Sequence, residues 1–358
     1  MSKKKRILVS PLNWGLGHAS RCIPIIRMLL KNEAEVIIAT EGASLRLLQE
    51  EFPELIFIEL SPINLSYSKY LPMTVSMGLQ TPKLIKSIGK EHQELERLIS
   101  EHQIDGVISD NRYGMYSNKI PSIIISHQLF IQTPFLQKTL RKLIQKFLKK
   151  FNACWIPDYS NYSNLSGKLS HENVSIKNTV FIGPLSRFEK TEVPDFVHKR
   201  PLMIVLSGPE PNRTLFEKKL LKQLQNCKID TLLVRGLPEE ESSNLKVPKW
   251  VNVLPHLSSE TMQNELMHSE MILCRSGYSS IMDLAALGKK AILIPTKGQT
   301  EQIYLAKYLM SESYFYSTTE TLLNLEKDLV KAKNYKGIPN FNQENNLEEV
   351  ISDFLTRC

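Results

Sequence analysis

Short runs of aliphatic and β-branched residues alternate with longer segments in which apolar residues recur every three or four positions. The short runs predict strands, and the longer segments predict amphipathic helices. Regular alternation of the two is typical of parallel α/β units. The strands predicted in the first half of the chain are 6–10, 35–39, 56–60, 106–109, 122–126 and 153–156, with helices at 20–31, 44–50 and 90–101.

A second series of predicted strands begins after a break in this pattern, at Gly183-Pro184 and the charged, proline-containing run up to Pro201. These strands are 202–207, 231–235, 251–254, 271–274 and 291–295. A chain of 358 residues also fits two α/β domains better than one. We therefore predict an α/β protein with Rossmann-like domains at 1–183 and 184–358. We expect a last helix, at about 344–358, to pack back on the first domain.

The net charge of +8 favours an acidic partner, such as nucleic acid, anionic lipid or a phosphorylated small molecule. The five cysteines are scattered and no two have CxxC spacing, which argues against a disulfide framework or a zinc site. The basic first residues precede an apolar run too short for a signal peptide, and no apolar stretch approaches the length of a membrane span. We therefore expect a cytoplasmic protein.

A glycine turn lies between the first predicted strand and the first helix, with Asn13, Gly15, Gly17 and His18 in sequence. Glycines let the backbone turn tightly and approach a ligand. A helix N-terminus disfavours imidazolium, so His18 is a candidate general base. The alternative is a histidine that caps the helix or orients an acceptor. A dinucleotide-binding turn matches only in part, because Ser20 stands where the third glycine belongs.

Asp110 follows a predicted strand and is expected beside His18. A carboxylate there would fix the histidine tautomer and stabilise the imidazolium form. The alternative is an aspartate that caps the next turn together with Asn111. The residues that we expect on this acceptor side are Asn13, Gly15, Gly17, Asn111, Arg112 and His127.

The second half carries a polar stretch, residues 275–283, that follows a strand and opens a helix. Its serines and the first helical amides can bind phosphate oxygens. Asp283 lies about one turn into the helix, where a carboxylate can accept from ribose hydroxyls. A second polar loop, residues 297–302, follows the next strand at the end where α/β ligands bind.

The order and spacing of these pieces resemble the family 28 glycosyltransferases of the GT-B fold, and more distantly the family 1 glycosyltransferases. The first domain of that family opens with a glycine turn ending in Gly-His, as at Gly17-His18. The second carries an acidic residue six positions after a turn glycine, as at Gly277 and Asp283. Glu301-Gln302 matches the family's later Asp-Gln or Gln-Gln pair, and Gly183-Pro184 fits between the domains.

The resemblance implies a GT-B fold, two Rossmann-like domains that face each other across a cleft. It implies inverting transfer from a nucleotide-sugar, of the UDP-sugar class, to a lipid-linked or other glycan hydroxyl, with no cofactor or metal. Asp283 would bind the ribose, Glu301 and Gln302 the sugar hydroxyls, and residues 275–280 the diphosphate. The donor-side residues are Gly208, Arg213, Arg275, Ser276, Gly277, Ser279, Ser280, Asp283, Gln299, Glu301 and Gln302.

The loop at Gly208 departs from the family, which usually has a glycine-rich phosphate loop there. Pro209 and Pro211 remove amide donors, and Glu210 would repel a phosphate if it pointed inward. This loop keeps a noncatalytic nucleotide-sugar-binding protein open as an alternative. A second alternative is a nonhydrolysing UDP-sugar 2-epimerase, which shares the fold, although the His18 turn and the Glu301-Gln302 loop favour transfer over epimerisation.

A basic amphipathic segment, residues 138–151, has apolar residues at helical spacing and no acidic residue from Lys138 to Lys150. One interpretation is an interfacial helix on an anionic membrane, which would make the protein peripheral on the inner face of the cell membrane. The other is a core-facing helix with a solvated basic back. We expect no nucleic-acid partner, because no aromatic stacking motif accompanies the charge. The sequence leaves the oligomeric state open.

Overall fold

The computed structural model describes residues 4–62, 73–130, 137–161, 163–172, 178–189, 199–237, 245–339 and 346–358. Its contacts divide the chain into two units. The first unit comprises Met1–Leu185 together with Asn342–Cys358, and the second comprises Ser186–Phe341. Within the described ranges, no helix is long and apolar enough to cross a membrane.

The strands of the first unit lie in one parallel sheet, and those of the second lie in another. The strands are β1 Arg6–Pro11, β2 Glu35–Thr40, β3 Ile56–Glu59, β4 Gly106–Asp110, β5 Ser122–Ile125, β6 Ala153–Ile156, β7 Thr179–Phe181, β8 Arg200–Val205, β9 Thr231–Val234, β10 Val251–Leu254, β11 Ser269–Cys274, β12 Lys290–Leu293 and β13 Tyr316–Ser317.

Helices follow most of the strands, as parallel connections require. They are α1 Leu16–Lys31, α2 Gly42–Glu51, α3 Met73–His102, α4 Gln137–Leu148, α5 Asn212–Leu224, α6 Ser259–Met267, α7 Tyr278–Leu287, α8 Thr300–Ser311, α9 Leu325–Ala332 and α10 Leu347–Arg357, with a 3-10 turn at Gly167–Leu169.

The sheet of the first unit has the strand order β3-β2-β1-β4-β5-β6-β7. Its central strands are nearly continuous apolar runs because helices cover both faces of a parallel sheet. Every residue of β4 is buried, for example. The chain leaves β1 in one direction and returns to β4 on the other side of it. This reversal of strand order is a topological switch point, where open α/β sheets bind ligands at the carboxyl ends of the strands.

The last helix of the chain, α10, belongs to the first unit and contacts α1. Phe354 packs edge-on to Trp155, with ring centroids 5.9 Å apart. A Cβ added at Gly106 would lie 2.7 Å from Phe354 Cζ and 2.5 Å from Cys358 Sγ. Only glycine at position 106 therefore lets α10 approach β4 this closely.

The sheet of the second unit has the strand order β10-β9-β8-β11-β12-β13. Its core is built on apolar strand residues such as Ile204, Leu233 and Leu273, which form one cluster with Phe216 of α5. The order reverses between β8 and β11, which creates a second switch point at the carboxyl ends of those strands.

Both sheets confirm the predicted α/β fold class, and most of the predicted strands agree with the observed ones to within one or two residues. The short strands β7 and β13, of three and two residues, were not predicted as strands. The basic segment forms α4, and its apolar face is directed at the first unit's own core through Ile144 and Leu148. The core-facing interpretation of α4 is therefore correct for these two residues.

Candidate functional site

The predicted acceptor-side turn lies at the switch point of the first unit, directly after β1. Gly15 precedes α1 with a φ of 84°, a backbone conformation that favours glycine. Asn13 Oδ1 accepts a hydrogen bond of 3.2 Å from the backbone amide of Ser44 in α2. The Asn13 side chain therefore fixes the turn to the neighbouring helix. Gly17 and His18 lie in the first turn of α1.

His18 and Asp110 come together as the sequence predicts. His18 Nδ1 is 2.8 Å from Asp110 Oδ1. Asp110 ends β4 and is fully buried, whereas the side chain of His18 is 14% exposed. A histidine ring at the start of α1 thus contacts a buried carboxylate at the end of the adjacent strand.

Arg21, which sequence reasoning missed, is the third member of this group. It lies one turn after His18 on α1, so both side chains share a helix face. Its guanidinium donates through Nε and Nη2 to the two oxygens of Asp110. Nη1 lies 3.0 Å from His127 Nδ1, and the side chain is 2% exposed. The i to i+3 spacing from His18 was the available sequence signal.

Neighbouring charged groups determine the protonation state of Asp110. Burial alone would raise its pKa, but the charges of Arg21 and His18, and their hydrogen bonds, outweigh burial and lower the pKa to about 2. Asp110 is therefore a carboxylate throughout the physiological range.

The predicted donor-side residues lie at the ends of β11 and β12 in the second unit. Gly277 precedes α7, whose first turn carries Ser279 and Ser280, and Gln299 precedes α8, whose first turn carries Glu301 and Gln302. Because β11 and β12 are adjacent and parallel, both helix N-termini lie at the same edge of the sheet. Helix N-termini carry partial positive charge and free amides, which suit phosphate oxygens.

One hydrogen bond joins these helix N-termini, and a second lies within the loop before α8. Ser276 Oγ donates to the carbonyl of Gln302 over 2.8 Å. Gln302 Oε1 accepts from the backbone amide of Thr296 over 2.8 Å. The two loops are thereby connected, and the Gln302 side chain is oriented by its own loop.

Asp283 lies in α7, one turn beyond the serines. Its Oδ1 accepts a 2.7 Å hydrogen bond from Ser186 Oγ. Burial raises the pKa of Asp283 to about 6, although the charge of Arg187 and the Ser186 hydrogen bond oppose that rise. A partly buried carboxylate with a shifted pKa is typical of a functional site.

Comparison with known proteins extends these observations to family level. Residues 212–350 match the glycosyltransferase family 28 C-terminal domain. An uncharacterized glycosyltransferase of Methanosarcina acetivorans is 24% identical, with 92% of this chain and 91% of that protein covered. The UDP-N-acetylglucosamine–N-acetylmuramyl-(pentapeptide) pyrophosphoryl-undecaprenol N-acetylglucosamine transferase of a Thermoanaerobacter strain is 25% identical, with 90% and 87% covered.

Solved structures agree on the fold. The glycosyltransferase SnogD from Streptomyces nogalater has a TM-score of 0.64 at 14% identity, with 99% of both chains covered. This chain is a glycosyltransferase of the GT-B fold, and its second half is similar to the family 28 C-terminal domain.

The contacts of His18 in this glycosyltransferase define two tautomers. Nδ1 lies 2.8 Å from Asp110 Oδ1 and 2.9 Å from Arg21 Nη2. A carboxylate only accepts and a guanidinium only donates, so Nδ1 satisfies one of them at a time. A proton on Nδ1 bonds to Asp110 and leaves a lone pair on Nε2. A lone pair on Nδ1 accepts from Arg21 and leaves a proton on Nε2. Only the first tautomer can act as a base through Nε2.

Two predicted acceptor-side residues of the glycosyltransferase lie in its interior. Arg112 is 1% exposed and forms ion pairs with Glu41 and Glu91. His127 is 4% exposed and contacts Arg21. We therefore correct the expectation that Arg112 lines the acceptor side, because its charge is taken up by two buried carboxylates. Asn111, by contrast, is only partly buried and has a φ of 56°.

Two predicted donor-side arginines are also engaged internally. Arg275 is 2% exposed, pairs with Glu320 Oε1 over 2.6 Å and lies over the ring of Phe216. Arg213 is 4% exposed and pairs with Glu217 and Glu210. We correct both expectations for this structure: these guanidinium groups are bound to protein carboxylates and do not present themselves to a diphosphate.

In the Gly208 loop, the structure shows what the unusual residue Glu210 does. Gly208 has a φ of 110°. Glu210 accepts from Arg213 Nε over 2.6 Å and from the backbone amide of Thr214 over 3.2 Å. A protein carboxylate therefore bonds an amide in the first turn of α5, where a phosphate oxygen would otherwise bind. In the part of the chain that the structure describes, no group of three or more His, Cys, Asp or Glu could hold a metal ion.

Proposed function

We propose that this glycosyltransferase moves a sugar from a UDP-sugar to a hydroxyl of a lipid-linked or other glycan acceptor, with inversion at the anomeric carbon. The observation that carries the proposal is the pair of helix N-termini at α7 and α8, which the Ser276–Gln302 hydrogen bond joins, with Asp283 one turn into α7. The relative from Thermoanaerobacter is named for a UDP-N-acetylglucosamine donor and a pyrophosphoryl-undecaprenol acceptor, which supports both substrate classes.

The donor would bind through its diphosphate and ribose. The amides and hydroxyls of Ser279 and Ser280 at the start of α7 suit the diphosphate oxygens. Asp283 as a carboxylate suits the two ribose hydroxyls, which are donors. Glu301 and Gln302 in the first turn of α8 suit the sugar hydroxyls.

The chemistry would be a single displacement. Nε2 of His18 removes the proton of the acceptor hydroxyl, and the acceptor oxygen forms a bond to the anomeric carbon. The bond from that carbon to the diphosphate oxygen breaks, and UDP leaves with the electron pair. Asp110 stabilises the imidazolium that forms. The helix N-termini stabilise the charge on the leaving diphosphate, so we propose that no metal or other cofactor is required.

We also propose that the enzyme binds an anionic membrane surface through α4. Lys142, Lys146 and Lys149 recur at helical spacing and are exposed. Arg141, in contrast, pairs with Glu172 through both guanidinium ends. The buried apolar face of α4 leaves this lysine face as the part that would meet anionic lipid headgroups.

The test of transfer uses the wild-type chain and His18→Ala. We expect UDP, more than ADP or GDP, to raise the melting temperature, because a ligand of the folded state stabilises it by mass action. We expect His18→Ala to lower kcat by about a hundredfold or more, with UDP affinity nearly unchanged.

Each remaining outcome counts against a stated part of the proposal. Retained turnover in His18→Ala would remove the base role. Conversion of UDP-N-acetylglucosamine without any acceptor would instead indicate a 2-epimerase. Nucleotide binding with neither transfer nor donor hydrolysis in an acceptor screen would indicate a noncatalytic protein. Loss of transfer in EDTA, restored by a divalent cation, would contradict the metal-free mechanism.

A further inference from the structure

Arg21 is the buried residue around which the first-unit site is arranged. Its guanidinium donates hydrogen bonds to both carboxylate oxygens of Asp110. It also lies 3.0 Å from His127 Nδ1 and 2.9 Å from His18 Nδ1. The side chain is 2% exposed, so these interactions are made away from water, where charge effects are strong.

We infer that Arg21 is a positioning residue that orients Asp110 towards His18 and disfavours the imidazolium form of His18, while Asp110 favours the base-competent tautomer by accepting from Nδ1. The inference rests on the proposed role of His18 as the general base. A buried carboxylate paired with a histidine alone favours the imidazolium form, which cannot accept a proton. The charge of Arg21 compensates the charge of that carboxylate. Arg21 also places its own positive charge beside His18 Nδ1. Both effects favour the neutral ring.

Arg21 also fixes geometry. Bidentate pairing between a guanidinium and a carboxylate sets the orientation of both planes. Oδ1 of Asp110 is therefore presented to His18 Nδ1 at 2.8 Å in a defined direction. His127 must accept from Arg21 through an unprotonated Nδ1, since arginine has no acceptor. Arg21 thus orients three side chains from three different parts of the chain.

Two other titratable groups near Asp110, Cys22 and Tyr113, do not supply a competing charge. Cys22 Sγ on α1 lies 3.9 Å from Asp110 Oδ2, and burial raises the pKa of this thiol well above its usual range. Burial likewise raises the pKa of Tyr113, which follows β4. Both groups are therefore neutral at physiological pH. Among the described residues, Asp110 and Arg21 are the charged groups that contact the His18 ring.

The test compares wild type with Arg21→Gln and Arg21→Lys. The glutamine removes the charge, whereas the lysine keeps it but cannot span both Asp110 oxygens and His127. We measure kcat/KM for transfer against pH, and separately the titration of the His18 ring by NMR in the ligand-free protein. Folding is checked by circular dichroism and thermal unfolding.

We expect Arg21→Gln to move the acid limb of the kcat/KM profile, and the NMR titration of His18, to higher pH by about one unit or more. We expect Arg21→Lys to leave both near their wild-type pH and to lower kcat/KM by about tenfold to a hundredfold, because the geometry is lost. This split separates charge from orientation, and a general loss of packing would not produce it.

The inference would be overturned if folded Arg21→Gln kept the acid limb of its kcat/KM profile and the NMR titration of His18 at the wild-type pH. If Arg21→Gln does not fold, Arg21→Lys decides: wild-type kcat/KM in that variant would equally overturn it. If the wild type shows no transfer, the proposed function fails, but the NMR titration of His18 still tests Arg21. The two failures are therefore distinguishable.

Discussion

At Asp283 the proposed donor-binding role and the stability of the fold oppose each other. Its pKa is about 6 in the folded protein, against 3.8 for an ordinary aspartate. The folded state therefore holds the proton more tightly than the unfolded state, and stability falls as pH rises from 3.8 to about 6. Two units correspond to roughly 2–3 kcal/mol. We predict that Asp283→Asn, measured by urea unfolding, is more stable than wild type by about that amount at pH 7.5.

The pH dependence distinguishes this effect from a simple packing change. At pH values below 3.8 both side chains are neutral, so the stability difference should disappear. Asp230→Asn is a matched control in the same unit, because the Asp230 side chain is 58% exposed. We expect the control to change stability by less than about 0.5 kcal/mol. Equal free energies of unfolding for the wild type and Asp283→Asn at pH 7.5 would contradict the prediction.

Separation along the chain distinguishes the contacts that the sequence could predict from most of those that it could not. His18 and Asp110 follow adjacent parallel strands, so strand ends alone bring them together. Arg213 pairs with Glu217 at the i to i+4 spacing within α5, which the sequence shows. Arg275 also follows a strand, yet its guanidinium is taken up by Glu320, 45 positions away, through a three-dimensional contact that no local pattern encodes. Arg21 was missed for the same reason, since its carboxylate partner lies 89 residues away.

At the scale of elements, α4 separates a buried apolar face from an exposed basic one. Lys142, Lys146 and Lys149 are exposed, and each lysine near an anionic surface contributes about 1 kcal/mol. We predict that changing all three to glutamine weakens binding to phosphatidylserine-containing vesicles by roughly a hundredfold. Vesicle sedimentation at fixed ionic strength measures the effect. Stability should hardly change, because these side chains are exposed.

A control with the same change in net charge tests whether the position on α4 matters. Lys218, Lys222 and Lys228 are exposed residues of the second unit, and their change to glutamine removes the same three charges. We expect this control to bind anionic vesicles like the wild type. Equal loss in both triple variants would show that net charge, and not the α4 face, drives the interaction.

The elements themselves were predictable where the sequence repeats a strong pattern. Long apolar runs such as β1 and β8 are largely buried and are visible as runs. The two-residue strand β13 is too short to carry a pattern. For α4 the sequence shows that one face is apolar, but not what covers that face. The structure supplies that answer through Ile144 and Leu148.

At the scale of the whole molecule, the chain returns to its first unit with α10. Gly106 of β4 lies against the side chains of Phe354 and Cys358 at the end of this helix. A Cβ at position 106 would lie 2.7 Å from Phe354 Cζ. We predict that Gly106→Ala costs about 1–3 kcal/mol of stability through overpacking. Phe354 is 2% exposed, and we expect Phe354→Ala to cost about 3–5 kcal/mol.

The double variant Gly106→Ala/Phe354→Ala tests whether the stability costs of the two single substitutions have the same cause. Once Phe354 is alanine, the methyl group at position 106 gains space, although Cys358 Sγ remains near it. We therefore expect Gly106→Ala to cost at least about 1 kcal/mol less in the Phe354→Ala background than in the wild type. Thermal or urea unfolding of the four chains measures this coupling. Strictly additive costs would mean that the contact with Phe354 is not what requires glycine at position 106, and would leave the nearer contact with Cys358 Sγ as the cause. Coupling shows that Phe354 of the C-terminal helix selects glycine on a strand 248 positions earlier in the chain (354 − 106).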